Sequence, residues 1–183
     1  MLVNVDFENI RAKAKARAEV MVKNGLYSRF RLSDSQRIDK ALLGCIGELA
    51  FEQFLIQRNV PYKLDETDFE SKNSDEYDFL ISGKKIDVKV AKKSTPRPPS
   101  DGWTYGYPEE QNPQLKDYVV VGWVDFSKEE VGFYGWITGI QISTYKVVTH
   151  NSFAGYRYLT PNHEFRWGAM NKRFDELLNE LSG

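Results

Sequence analysis

At 183 residues, with 41 % hydrophobic and 14 % aromatic side chains, the chain has enough apolar material for a sizeable core, which excludes a disordered protein. Its length suits a single domain over 1–183 rather than two. The formal charge of -1 carries no overall signature of a nucleic-acid binder, and no stretch approaches the roughly 18 apolar residues of a membrane span.

The distribution of charge says more than its total. Residues 1–47 carry nine basic and five acidic side chains, 48–82 three basic and nine acidic, and 83–97 six basic and one acidic. An acidic block between two basic ones suits a site that holds cations beside a polyanion, although ordinary surface charge gives the same pattern. The start MLVNVDFENI lacks the basic residues and apolar stretch of a signal peptide. Cys45 is the only cysteine, so no internal disulfide forms, and a cytoplasmic setting is expected.

In chain order, the Ala-rich stretch 10–23 predicts a basic helix that Asn24-Gly25 ends. Ser33-Asp34-Ser35-Gln36 has the form of a capping box. The helix it opens runs to about 58, with Ile38, Leu42, Cys45, Leu49 and Leu55 on its apolar face. Gly44 and Gly47 weaken that helix unless it must lie close to a sheet. A strand is predicted over 60–64, an acidic loop over 65–76, and a strand over 77–81. After the turn Ser82-Gly83-Lys84 the return strand covers 85–91. The Pro- and Gly-rich stretch 94–113, with Trp103, Tyr105 and Tyr107, reads as a long loop. Strands follow over 118–125 and 131–138, joined by a hairpin turn, then a short strand over 144–148 and an amphipathic helix over 171–181.

Chemistry concentrates in the hairpin over 77–91. Residues i and i+2 of a strand project to one side, so Asp87 and Lys89 point together while Ile86, Val88 and Val90 face a core. Asp78, on the preceding antiparallel strand, reaches the same neighbourhood. Two close carboxylates resist ionising together, and a divalent cation relieves that conflict. Magnesium takes one or two protein carboxylates and leaves other positions to water and phosphate. Lys89 can then hold a water, and attack on a phosphodiester is the natural reaction. Glu48, after Gly47 on the second helix, supplies a third carboxylate.

Glu on a first helix, then Asp, then Asp-x-Lys across a hairpin resembles the PD-(D/E)-x-K nuclease superfamily. That group includes restriction endonucleases, Holliday-junction resolvases and RecB-like nuclease domains. The resemblance covers 33–91 and implies an α/β (α+β) fold: a central mixed sheet flanked by helices, a restriction-endonuclease-like core. It implies Glu48, Asp78, Asp87 and Lys89 as catalytic residues, and Glu48, Asp78, Asp87 and the Val88 carbonyl as ligands of Mg2+, with Mn2+ as substitute. The expected activity is hydrolysis of DNA, endonucleolytic, with no membrane partner and a homodimer as one arrangement. Two departures stand out: Tyr77 occupies the Pro position, and 94–113 lacks the helix that usually follows Asp-x-Lys.

Lys85, Lys92 and Lys93 are candidate phosphate contacts, with solubility as the competing explanation. Gln114, four residues before Tyr118, matches a RecB-like Gln-x-x-x-Tyr weakly, and Gln111 is an equal candidate for a site-lining amide. Trp103, Tyr105 and Tyr107 either stack on bases or pack the loop onto the core. His150 and His163 do not have the company of a zinc site, and no phosphate-binding Gly-rich loop is present. The alternative function is a catalytically inactive nucleic-acid-binding or assembly module on the same fold.

Overall fold

The computed structural model describes residues 1–64 and 77–182. The acidic loop expected over 65–76 lies outside the described residues. The first helix, α1, spans Phe7–Lys23 and is capped by the Asp6 carboxylate, which accepts from the Asn9 N–H. Phe7, Ile10, Ala14, Ala18 and Val22 form its buried stripe. Alanine at the middle positions lets α1 lie close against the second helix.

That helix, α2, spans Asp34–Gln57 behind the capping box formed by Ser33 and Gln36. Its Gly47 lies against the Val90 side chain, where an added Cβ would stand 2.8 Å from both valine methyls. The expected close approach of helix to sheet is therefore real at Gly47. Gly44, by contrast, faces open space.

A five-stranded mixed sheet forms the centre. Its strands are β1 (Lys63–Leu64), β2 (Phe79–Ile81), β3 (Lys84–Lys92), β5 (Tyr118–Asp125) and β6 (Glu130–Thr138), in that spatial order. β3 and β5 run parallel, and the other neighbours are antiparallel. Every residue of β5 is buried, as a strand covered on both faces must be. On one face, α1, α2 and the last helix α4 (Phe174–Ser182) enclose a core that contains Phe51, Phe54, Phe79, Val88, Val90 and Phe133.

A second, antiparallel sheet covers the other face. It consists of β4 (Thr104–Pro108), β8 (Arg157–Arg166) and β7 (Val147–His150), with β8 in the middle. Tyr107, Phe165 and Trp167 pack there against Val119, Val121, Trp123 and Ile137. A short helix, α3 (Gly139–Ser143), precedes β7. The architecture is thus mixed α/β, with a mixed central sheet and flanking helices.

Two strands are missing from the sequence reading. The stretch 94–113 is not all loop, because β4 lies within it. Its pattern is short: Tyr105 and Tyr107 pack inward while Gly106 leaves room for the Tyr158 ring, 2.6 Å from an ideal Cβ. β8 has no strand signature because Pro161 interrupts it. The proline sits beyond the end of the β4 pairing and in the gap where the β7 register shifts. A missing N–H is tolerated at such a break. The strand expected over 60–64 shrinks to Lys63–Leu64, and the one over 144–148 moves to Val147–His150. Among the described residues, no helix is long and apolar enough to cross a membrane.

Candidate active site

The geometry of the site follows from the β2–β3 register. Phe79 pairs with Ile86, and the Asp78 N–H donates to the Ile86 carbonyl at 3.0 Å, so Asp78 stands opposite Asp87. Its Oδ2 accepts the Val88 N–H at 2.6 Å. Alternation along β3 then divides the side chains as expected. Ile86, Val88 and Val90 enter the core beneath the helices, and Asp87 and Lys89 emerge on the face covered by the second sheet.

On that face the Lys89 ammonium donates to Asp87 Oδ1 at 2.7 Å. The Tyr107 hydroxyl, brought by β4, donates to Asp87 Oδ2 at 2.7 Å. Lys89 Nζ also lies 5.7 Å from the centre of the Tyr107 ring. Asp87 and Tyr107 are buried, while the Lys89 side chain keeps 20 % of its surface exposed. An ion pair between Arg29 and Glu110 ties the α1–α2 connection to the 3-10 turn Glu109–Gln111 that follows β4.

Glu48 occupies the helix side. It is ion-paired with Arg17 of α1 at 2.8 Å. Arg17, Glu48, Glu52, Tyr77 and Asp78 line a shared cleft. The edge of β3 therefore has Glu48 and Asp78 on one flank and Asp87 and Lys89 on the other. Among the described residues, no group of three or more His, Cys, Asp or Glu side chains is placed to hold a metal ion.

The charges respond to this crowding. Burial raises the Asp78 pKa well above its usual range, and the Asp87 and Glu48 carboxylates raise it further. Burial acts in the same direction on Asp87, but Lys89 and Tyr107 overcome it and hold its pKa below the usual range. Lys116, buried just before β5, adds to that effect. Burial would lower the Lys89 pKa, yet Asp87 and Asp78 push it well up, so Lys89 stays an ammonium. If the pair shares a proton, the proton resides on Asp78, because Asp87 faces a cation and a phenol.

The candidate nucleic-acid contacts are dispersed. The Lys85 ammonium lies 6.0 Å from the centre of the Tyr77 ring. Lys92 approaches Phe126 at the far end of β3. The Lys93 side chain, only 5 % exposed, forms an ion pair with Asp125 at 2.7 Å. Gln111 has a buried side-chain oxygen without a hydrogen-bond partner among the described residues, and Gln114 is exposed. Trp103 packs edge-on against Trp167, with ring centres 5.0 Å apart. Tyr107 is fully buried, so its role is support of Asp87 rather than base stacking.

Sequence reasoning missed the hydrogen bond of Tyr107, the Arg17 partner of Glu48, and Lys116. The only available hint was the Tyr-Gly-Tyr alternation at 105–107, which is too short to mark a strand. Comparison of the chain with protein-family models, with curated proteins and with solved structures finds no match.

Proposed function

We propose that the chain is a divalent-metal-dependent deoxyribonuclease on a restriction-endonuclease-like core. The observation that carries this reading is the pairing of Asp87 and Lys89 on one face of β3, with Asp78 opposite and bonded to the Val88 N–H. A surface hairpin with solvated charges would leave Asp87 in water, whereas its side chain is 6 % exposed.

The donors are oxygens, the kind a hard cation takes. Asp78 and Asp87 offer oxygen, and the Val88 carbonyl points to the same side of the strand as the N–H that meets Asp78. Glu48, which lines the same cleft as Asp78, would act as a ligand directly or through water. Cys45 is not a competing ligand, because burial and then Glu48 push its thiol up to about 12. A bound Mg2+ or Mn2+ would supply Lewis acidity and an acidified water for attack on a phosphodiester. Lys89, held as an ammonium, would orient an attacking water and offset charge on the scissile phosphate. Tyr107 fixes the Asp87 rotamer and adds to Lys89 in keeping the carboxylate ionised. Arg17 holds Glu48 toward the cleft.

The test is a panel of linear, circular, branched and single-stranded DNA incubated with magnesium or manganese. Cleavage of at least one substrate is expected, and Lys89→Ala should reduce it roughly 100-fold or more. Cleavage unaffected by Lys89→Ala and by Asp87→Ala would remove the site, and no cleavage of any substrate would remove the activity. One observation favours a second reading: both Asp87 oxygens already have donors within the protein. A non-catalytic binding or assembly module needs nothing more of Asp87. Magnesium titration separates the two, since such a module need not bind the ion at these carboxylates.

A further inference from the structure

The β7–β8 hairpin ends in an unusual loop, residues 151–156. Phe153 at its tip is 83 % exposed, and Tyr156 is 56 % exposed. Leu159 on the adjoining strand is also exposed. Exposure of large apolar side chains so close together costs solvation unless something covers them.

The loop is nevertheless firmly built. Asn151 is buried, and its Oδ1 accepts the N–H groups of Phe153 at 3.1 Å and Ala154 at 2.6 Å. Its Nδ2 donates to the Thr104 hydroxyl, the Tyr158 hydroxyl and Glu164 Oε2. Glu164 also accepts the Ser152 N–H. Two backbone bonds close the turn, Asn151 N–H to Tyr156 O and Gly155 N–H to Asn151 O, both at 2.9 Å. Gly155 adopts φ +72°, a conformation that favours glycine. The aromatic side chain is thus displayed on a backbone already ordered, so a ligand would meet little ordering cost.

The surrounding charge identifies the kind of ligand. Over 144–166, the β7–β8 hairpin and its flanks, the basic residues are Lys146, Arg157 and Arg166, and the only acid is Glu164. That acid is consumed by the loop's own amides and hydroxyls. Lys146, His150, Arg157 and Arg166 are exposed on β7, β8 and their flanks. Protein interfaces are depleted of lysine around their aromatic centres, whereas nucleic-acid grooves combine cations with a π-face. The loop also connects to the catalytic face. Asn151 grips Thr104 at the start of β4, the strand that carries Tyr105 and Tyr107.

We infer that loop 151–156 is a nucleic-acid-binding finger, with Phe153 stacking on a base and Arg157 meeting a neighbouring phosphate. The inference rests on the nuclease reading for its choice of substrate, and it extends that reading by assigning where an unpaired or frayed strand is held.

The experiment is fluorescence anisotropy of a labelled single-stranded oligonucleotide in EDTA, which prevents cleavage. Phe153→Ala should weaken binding by roughly 5- to 150-fold, the effect of losing one stacked base. Phe153→Trp should retain the affinity, whereas Phe153→Leu, apolar but without a π-face, should lose it. Arg157→Ala should reduce the slope of log affinity against log salt by about one ionic contact. Because Phe153 is exposed, its variants should melt with the wild type. Binding of Phe153→Ala within twofold of wild type would overturn the inference, as would a wild-type chain that binds no oligonucleotide. A Phe153→Ala effect on self-association alone, read by sedimentation, would also overturn it in favour of a protein contact. The binding assay does not depend on catalysis, so phenylalanine-dependent binding without cleavage would sustain the finger and remove the nuclease.

Discussion

Gly47→Ala tests how the approach of α2 to the sheet positions Glu48. The new methyl would stand 2.8 Å from both Val90 methyls and 3.4 Å from the Val90 Cβ, whereas ordinary contact begins near 3.4 Å. Val90 is β-branched, is packed in the core beneath α2, and pairs with Gly122 of β5, so it cannot simply turn away. Overpacking of this kind costs about 1–3 kcal/mol. Alanine in place of mid-helix glycine returns about 1 kcal/mol. The net expectation is a loss of roughly 0–2 kcal/mol by urea unfolding. The control lies three residues earlier, because Gly44 has nothing within 4 Å of its missing Cβ. Gly44→Ala should therefore stabilise by about 1 kcal/mol. In a Val90→Ala background the clash disappears, and Gly47→Ala should stabilise by the same amount. The double-mutant cycle should then give a coupling of about 1–3 kcal/mol. If Gly47→Ala stabilised the wild type as much as Gly44→Ala does, with no coupling to Val90, the close-approach argument would be refuted.

Other expectations follow from the charges. Because the folded-state pKa of Asp78 is raised, its protonated form favours folding at low pH, and that contribution is lost as pH rises through the folded value. An ion bound at Asp78 displaces its proton, so magnesium affinity should increase with pH, with release of up to about one proton per ion. Calorimetry in buffers of different ionisation enthalpy would count the proton, and a pH-independent affinity would remove Asp78 from the ligands. Lys93→Met should cost about 1–3 kcal/mol by leaving Asp125 without its cation. The Lys93 and Ser127 bonds hold the Asp125 pKa below the usual range. That stability is present above the ordinary carboxylate pKa of about 3.9 and is lost as pH falls through the folded value, so the deficit of the variant should shrink in acid. A Lys93→Met chain of unchanged stability but weakened DNA binding would show Lys93 to be a phosphate contact instead. Cys45, 1 % exposed with its thiol pushed up to about 12, should resist thiol reagents at pH 8 until urea unfolds the chain. Rapid labelling of the native protein would contradict its burial.

Local rules determined α2 and the Asp78–Asp87–Lys89 hairpin. A capping box announces the helix through four adjacent residues, and strand alternation places Asp87 with Lys89 whatever the rest of the chain does. β5 and β6 were legible for the same reason, being long apolar runs joined by a short turn. The second sheet was not, because β4 carries only Tyr-Gly-Tyr as a pattern and β8 contains Pro161, which is acceptable only at a break in pairing. Only the tertiary structure could bring Tyr107 to Asp87 across 20 residues, Arg17 to Glu48 across two helices, or Lys93 to Asp125. Those contacts depend on which sheet face each strand covers. That is settled by packing over the whole core, whereas periodicity reports only the local alternation of side chains.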